Sequence, residues 1–227
     1  YQNELNYNDD SDVVEIVVKA LDVNSTLVKN LYTVIDGLQL FGAPSFHLKK
    51  IVLPNDFKNN EKLNIAFRSM NKTNNCDQEI SVSLLESLMN KILGNVDVEY
   101  TNSILFTPIN GSICTYELDS TKSKYTKVPN SGVGGAGLIS LHDIAKATSI
   151  NNKRIEIYDR FLRIDENYDY ITGAESTQKI LNKNECTALD SDCFNHFYDQ
   201  LYYVKLTFEL NDDGNSYHFV SSEVVYE

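Results

Sequence analysis

The sequence has little positive charge and no long apolar run. It contains 20 Lys and Arg against 32 Asp and Glu, so its formal net charge is −12. An acidic excess of this size opposes binding to a phosphate backbone, which excludes nucleic acid as a partner. No stretch approaches the roughly 18 to 20 consecutive apolar residues that a membrane-spanning helix requires, so we expect no membrane insertion of this segment. With 42% hydrophobic residues in 227 positions, the chain still has enough apolar surface for a folded core.

The common catalytic and metal-binding motifs are also missing. The sequence has no G-x-S-x-G nucleophile elbow, no Walker loop and no kinase signature. The four histidines, His47, His142, His196 and His218, have no partner at i+4 and no H-E-x-x-H context, which favours core or surface positions over metal ligation. We therefore expect no catalytic residues, no cofactor and no metal site, and predict that the protein is not an enzyme.

One glycine-rich motif favours a different interpretation. The segment Gly132–Gly137 satisfies G-x-G-x-x-G, and the acidic residues Glu156 and Asp159 follow about 20 residues later, as in dinucleotide-binding folds. Such a loop must follow a buried strand, whereas residues 122–128 contain three lysines. We interpret the glycines as a surface loop or linker. The alternatives are a nucleotide-dependent enzyme that uses the loop 132–137, and a scaffold subunit of a luminal complex.

The four cysteines are even in number, and none belongs to a C-x-x-C pair. This pattern favours disulfide bonds over zinc binding or thiol redox chemistry. Of the three possible connectivities we favour Cys186 with Cys193, which closes a short acidic loop, and Cys76 with Cys114, which cross-links the first half of the chain. Disulfides would place the protein outside the cell, at the cell surface or in the secretory-pathway lumen. The alternative is four free thiols in a reducing compartment.

Three N-x-S/T sequons are candidate glycosylation sites, at Asn24, Asn71 and Asn110. Chance placement gives a similar number in a chain so rich in Asn, Ser and Thr, but all three lie in segments that we interpret as exposed turns or helix starts. The chain begins at Tyr1, and the strand-like segment 216–226 reaches almost to its last residue. From these ends we expect a processed or excised piece of a longer chain.

The hydrophobic pattern predicts a mixture of helices and hairpin strands. We predict helices at 26–40, 83–94, 138–148 and 176–182. We predict strands at 13–18, 96–100, 154–158 and 161–164, and hairpins pairing 46–53 with 63–67, 104–109 with 113–118, and 202–210 with 217–226. The expected fold class is α+β, with antiparallel sheets built from hairpins and two to four covering helices; a β-sandwich is the alternative. We expect a single domain over 1–227, with a possible subdivision near 120–137 into two α+β halves.

The charges are unevenly distributed along the chain. Residues 122–163 contain eight Lys or Arg and three acids, whereas residues 185–227 contain one Lys and nine acids. The two regions can meet inside the fold, or the acidic region can face a basic partner. In the second case acidic side chains would steer the partner and tyrosines would anchor it. The residues of this predicted binding set are Asp190, Asp192, Tyr198, Asp199, Tyr202, Tyr203, Asp212 and Asp213.

The sequence thus predicts a non-catalytic protein-binding module, the ectodomain of a secreted or cell-surface protein. Its expected partner is another protein.

Overall fold

The computed structural model describes residues 16–36, 45–70, 76, 79–106, 113–129, 140–174 and 178–226. These residues form α-helices and antiparallel sheets, which confirms the predicted α+β class. The helices are α1 (Thr26–Asp36), α2 (Ser45–Leu48), α3 (Asn59–Met70), α4 (Val82–Leu93) and α5 (Ser191–Phe197). The strands are β1 (Val18–Leu21), β2 (Ile51–Val52), β3 (Glu79–Ser81), β4 (Ser103–Phe106), β5 (Cys114–Leu118), β6 (Lys124–Lys127), β7 (Ser140–Ile150), β8 (Arg154–Ile164), β9 (Tyr170–Thr172), β10 (Lys179–Leu181), β11 (Tyr203–Leu210) and β12 (Tyr217–Val225).

The strands form two antiparallel sheets. The large sheet has eight strands; six follow the order β1-β7-β8-β11-β12-β2, and β9 joins β10 to the end of β8. The small sheet has the order β3-β6-β5-β4. All the described pairings are antiparallel, as expected for strands connected largely by hairpins.

The two faces of the large sheet have different surroundings. Alternate residues of β8, including Ile155, Ile157 and Phe161, point to the inner face, where they join the main core with residues of α1, α3 and α4. The outer face carries a smaller core at one end, in which Leu162 packs with Phe194 and other residues of and around α5. The remainder of the outer face has no helix over it among the described residues.

The predicted hairpin between 46–53 and 63–67 is wrong. Residues 45–48 are the helix α2, only Ile51–Val52 form a strand, and the second segment lies within α3. The cause is that α3 is enclosed on all sides, with every residue from Glu61 to Arg68 buried. Its apolar side chains therefore do not form the single stripe that identifies a surface helix, and an accidental alternation resembles a strand.

Two predicted helices are strands. The segment assigned to a helix at 138–148 is β7 over its described part, and β10 replaces the described part of the helix at 176–182. In β7 a bulge lies between Ile144 and Lys146, so the extra residue interrupts the two-residue alternation that indicates a strand. Helix α5, in the loop between the last two cysteines and just beyond it, was not predicted.

The predicted strand 96–100 lies outside both sheets. Its backbone is instead held by side chains from α3 and the residues before it. Asn59 binds the Glu99 backbone twice, accepting from its N–H at 2.7 Å and donating to its carbonyl. Lys62 donates to the Asp97 carbonyl at 2.8 Å, and Asn55 accepts from the Asp97 N–H at 3.0 Å. These contacts satisfy the backbone groups that a neighbouring strand would otherwise pair.

Several other predictions are confirmed where the chain is described. The first helix begins at Thr26, α4 ends at Gly94 as its C-cap, β4 pairs with β5, and β11 with β12. Of the predicted strand 13–18, residues 13–15 lie outside the described residues, and β1 begins only at Val18.

Both predicted disulfides are present, Cys76–Cys114 and Cys186–Cys193, with sequence separations of 38 and 7. The bonds are compatible with an extracellular or luminal location. In the described part of the chain, no helix is both long enough and apolar enough to cross a membrane.

Candidate functional site

The part of the outer face over which no described helix lies carries a cluster of tyrosines and cations. Lys146 lies on β7, Tyr158 and Arg160 on β8, Tyr203 on β11, and Tyr198 just beyond α5. The sheet register brings them together, because Tyr158 pairs with Lys146 and Arg160 pairs with Tyr203. We call these five residues the Tyr–cation face.

Rings and cations alternate along the Tyr–cation face. The Lys146 Nζ lies 4.2 Å from the ring centroid of Tyr158 and 5.5 Å from that of Tyr203. The Arg160 Cζ lies 4.8 Å from the Tyr203 centroid and 4.3 Å from that of Tyr198. Each cation therefore lies within the range in which ring quadrupoles attract positive charge, and Tyr203 lies between the two.

Arg160 fixes the geometry of this face. Its guanidinium donates to the Tyr203 hydroxyl at 2.6 Å, to the Tyr198 carbonyl and to the Asp199 carboxylate at 3.4 Å. The Arg160 side chain is 14% exposed and that of Asp199 is 99% exposed. The arginine is thus a partly buried anchor that orients two rings, while the carboxylate beside it remains open to solvent. Partial burial and the Asp143 carboxylate raise the pKa of Tyr198, which keeps its hydroxyl protonated.

Three residues of the predicted binding set, Tyr198, Asp199 and Tyr203, lie at this face. Tyr202, one position before Tyr203, points to the opposite side of the sheet, where its ring meets that of Tyr226 edge-on at 4.8 Å and packs against the main core.

The other predicted acidic residues are dispersed. Asp190 is the N-cap of α5 and accepts from the Cys193 N–H at 2.9 Å. Asp213 accepts within the β11–β12 turn from the Ser216 hydroxyl, and these turn hydrogen bonds lower its pKa to about 2. Asp192 and Asp212 are exposed, on α5 and in the same turn respectively. The structure does not gather these acids into one surface.

The basic and acidic regions of the sequence meet within the fold. Strand β8 belongs to the basic region and pairs with β11 of the acidic region. Arg154 and Glu209 form an ion pair across these strands at 2.6 Å, and Arg160 faces Asp199. Part of the charge asymmetry of the sequence is therefore neutralised internally.

A group of polar side chains lies under the inner face, and we call it the buried polar cluster: Tyr32, His47, His142 and Asp159. The Tyr32 hydroxyl donates to one Asp159 carboxylate oxygen at 2.8 Å and also contacts the His142 Nδ1. The His47 Nε2 lies 3.3 Å from the other Asp159 oxygen, and the His142 Nδ1 lies 3.4 Å from the first. The side chains of His47 and Asp159 are fully buried, and that of His142 is 9% exposed.

Burial determines the charge of the two imidazoles. It lowers the pKa of His47 to about 3, with a further contribution from the positive charge of Arg163, and lowers the pKa of His142 to about 4. Both are therefore neutral near pH 7. In the described residues no group of three or more His, Cys, Asp or Glu side chains is arranged to hold a metal ion.

The buried polar cluster could not be predicted from the sequence. The residues that meet are far apart, with a sequence separation of 110 for Tyr32 and His142 and of 112 for His47 and Asp159. No local pattern indicates such a contact.

The remaining predicted sites are only partly described. Asn24 is exposed directly before α1, which leaves its sequon accessible. The other sequons, at Asn71 and Asn110, lie outside the described residues, as do the glycines of 132–137. Comparison of the chain with protein-family models, curated proteins and solved structures finds no match.

Proposed function

We propose that this protein is a non-catalytic, extracellular or luminal module that binds another protein through the Tyr–cation face. The observation that carries the proposal is the alternation of three tyrosine rings with two cations on a part of the sheet over which no described helix lies. Tyr and Arg are enriched among the residues that dominate binding energy at protein interfaces.

The face is also ordered before any partner binds. Arg160 ties the segment at Tyr198 to Tyr203 on the sheet, and the Cys186–Cys193 disulfide cross-links the chain just before it. Side chains that are already fixed lose less conformational entropy on binding, so more of the contact energy contributes to affinity.

The charges around the face favour a partner with a basic group. Asp143 and Asp199 border it with exposed carboxylates, and the whole chain is strongly acidic. A partner's Lys or Arg could contact these carboxylates while an apolar group covers the rings, and the overall charge would accelerate the encounter.

Site-specific photo-cross-linking on the native cells or in their secretions tests the proposal. A benzophenone amino acid at Thr148, on the outer face of β7, should yield one recurring protein adduct, whereas the same group at the exposed Leu84 on α4 should not. Excess unlabelled wild-type protein should suppress the adduct, and excess Tyr203→Ala protein should not.

The purified partner then allows a quantitative comparison. We expect Tyr203→Ala to raise the Kd at least tenfold, as removal of a central anchor does, and Leu84→Ala to leave it unchanged. Equal Kd values for Tyr203→Ala and wild type, or equal adducts from positions 148 and 84, would contradict the proposed surface.

A further inference from the structure

The buried polar cluster connects two helical segments to the centre of the large sheet. Tyr32 extends from α1 and His47 from α2, and both contact Asp159 of β8. We propose that this cluster is a proton-operated latch: protonation of its histidines releases α2 and the adjoining part of α1 from the inner face, while the large sheet remains folded.

His47 is the residue by which α2 contacts the buried polar cluster, and α2 also packs against β2 and β12. A helix of four residues has no stability of its own, so its position relies on tertiary contacts. The His47 ring stacks on Phe161 with centroids 4.4 Å apart and planes 5° apart, and its Nε2 faces Asp159. Charging this ring would place a cation in a fully buried position that already lies near the positive charge of Arg163.

Among the described residues, three elements supply charged and titratable groups near the histidines. From α1 comes the Tyr32 hydroxyl, from β7 His142, and from β8 Asp159 and Arg163. Arg163 already provides a positive charge near His47, and this charge disfavours protonation of the His47 ring. An added proton therefore gives the site a further positive charge in a region with little water to solvate it.

The direction of the pH effect follows from proton binding. A released histidine titrates near its ordinary pKa of about 6.5, whereas the latched ones stay neutral until about pH 4 and about pH 3. Between these limits the released state binds more protons than the latched state. Each pH unit below 6.5 therefore raises the ratio of released to latched protein by about tenfold per histidine. At pH 4.5 the shift reaches about 100-fold for one histidine and about 10,000-fold for two.

The strands have independent support. The ladder of β7, β8, β11 and β12 is continuous and contains no histidine of the cluster other than His142. Acidification near pH 4.5 should therefore open one side of the molecule before it unfolds the whole.

Hydrogen exchange followed by mass spectrometry at pH 7.0 and pH 4.5 tests the latch, after correction for the intrinsic exchange rates. We expect protection in segments 26–36 and 45–50, which exclude the sheet strand β2, to fall at least tenfold at pH 4.5. Segments 203–210 and 217–225 should keep their protection. Unchanged protection in the first two segments, or equal loss in all four, would overturn the proposal.

Variants identify the groups responsible. His47→Gln with His142→Gln removes both titrating rings and should abolish the pH-dependent loss in the first two segments. His196→Gln changes a half-exposed histidine that faces Glu185 on the other side of the sheet, and this variant should retain the pH-dependent loss of protection.

If the double variant does not fold, an NMR titration of the wild-type protein tests the latch instead. The ring signals of His47 and His142 should show the neutral form down to the pH of opening, and charged rings at pH 5.5 with both segments still protected would contradict the latch.

Discussion

The Tyr32 hydroxyl donates a hydrogen bond to the buried Asp159 carboxylate across 2.8 Å, and so joins α1 to the middle of the large sheet. Tyr32→Phe removes this donor and leaves a buried carboxyl oxygen with one partner fewer. We expect the free energy of unfolding to fall by about 1–3 kcal/mol, measured by urea denaturation at pH 7. Tyr168→Phe alters a tyrosine that is 76% exposed and should change it by less than about 0.5 kcal/mol. Equal effects of the two changes would mean that the hydrogen bond contributes nothing.

Two neighbouring serines at the start of α4 should differ in their contributions to stability. The Ser81 hydroxyl accepts from the Leu84 N–H at 3.0 Å and is the N-cap, whereas Ser83 lies within the first turn and caps no backbone group of the described residues, its hydroxyl contacting that of Ser81 at 2.8 Å in an exposed position. We expect Ser81→Ala to lower the unfolding free energy by about 1 kcal/mol and Ser83→Ala to have little effect. Thermal denaturation of both variants measures the difference. A larger loss from Ser83→Ala would favour the helix start at residue 83 that the hydrophobic pattern predicts.

Adjacent asparagines at the start of α3 provide a similar comparison. Asn59 makes two hydrogen bonds with the Glu99 backbone, while Asn60 is exposed and engages its neighbour Asn64 through its main-chain carbonyl. Asn59→Ala should lower the unfolding free energy by about 1–3 kcal/mol because the backbone at Glu99 loses its partner. Asn60→Ala should change it by no more than about 0.5 kcal/mol. Faster amide exchange at residues 96–100 in the Asn59 variant alone would locate the effect.

The two disulfides should stabilise the fold unequally. In the chain-entropy description the longer loop between Cys76 and Cys114 contributes about 4 kcal/mol, and the shorter loop between Cys186 and Cys193 about 2 kcal/mol. Replacing each pair by serine and measuring urea unfolding at constant m-value tests this order. A greater loss from the short loop would show that its contribution comes from the packing around α5.

A secretory location predicts a glycan at Asn24. The residue is exposed, so a glycan attached there would extend into solvent in the folded protein. The native protein should lose mass on treatment with peptide N-glycosidase, and Asn24→Gln should remove the corresponding glycopeptide. An unmodified Asn24 in protein that carries both disulfides would show that this sequon is not used.

The sequence predicts best the elements that have a local signal. Helix α4 has regularly spaced apolar residues and ends at Gly94, whose φ of 73° suits a residue without a side chain. The closing hairpin has a turn rich in Asp, Asn and Gly at 211–215 between two alternating strands. In both cases residues near in sequence determine the conformation.

The elements that were mispredicted depend on their surroundings. Enclosure on all sides hides the periodicity of α3, a bulge at Ile144 hides that of β7, and asparagine side chains replace a partner strand at 96–100. None of these features can be identified before the tertiary neighbours are known.

The Tyr–cation face and the buried polar cluster also differ in how far the sequence predicts them. Tyr198 and Tyr203 could be selected from the sequence because aromatic residues are clustered near the end of the chain, but the place of Arg160 between them depends on the register of β8 and β11. The buried polar cluster depends entirely on contacts between distant segments.

Because successive side chains of β8 point in opposite directions, one strand separates the two sites: Asp159 lies beneath it, while Tyr158 and Arg160 lie above. Insertion or deletion of one residue ahead of this strand would exchange the two sets, burying the binding side chains and exposing the carboxylate. Insertions and deletions near β8 should therefore be tolerated during evolution only within loops, where they leave the strand register unchanged. One register thus determines both which β8 side chains lie in the interior and which lie on the outer surface.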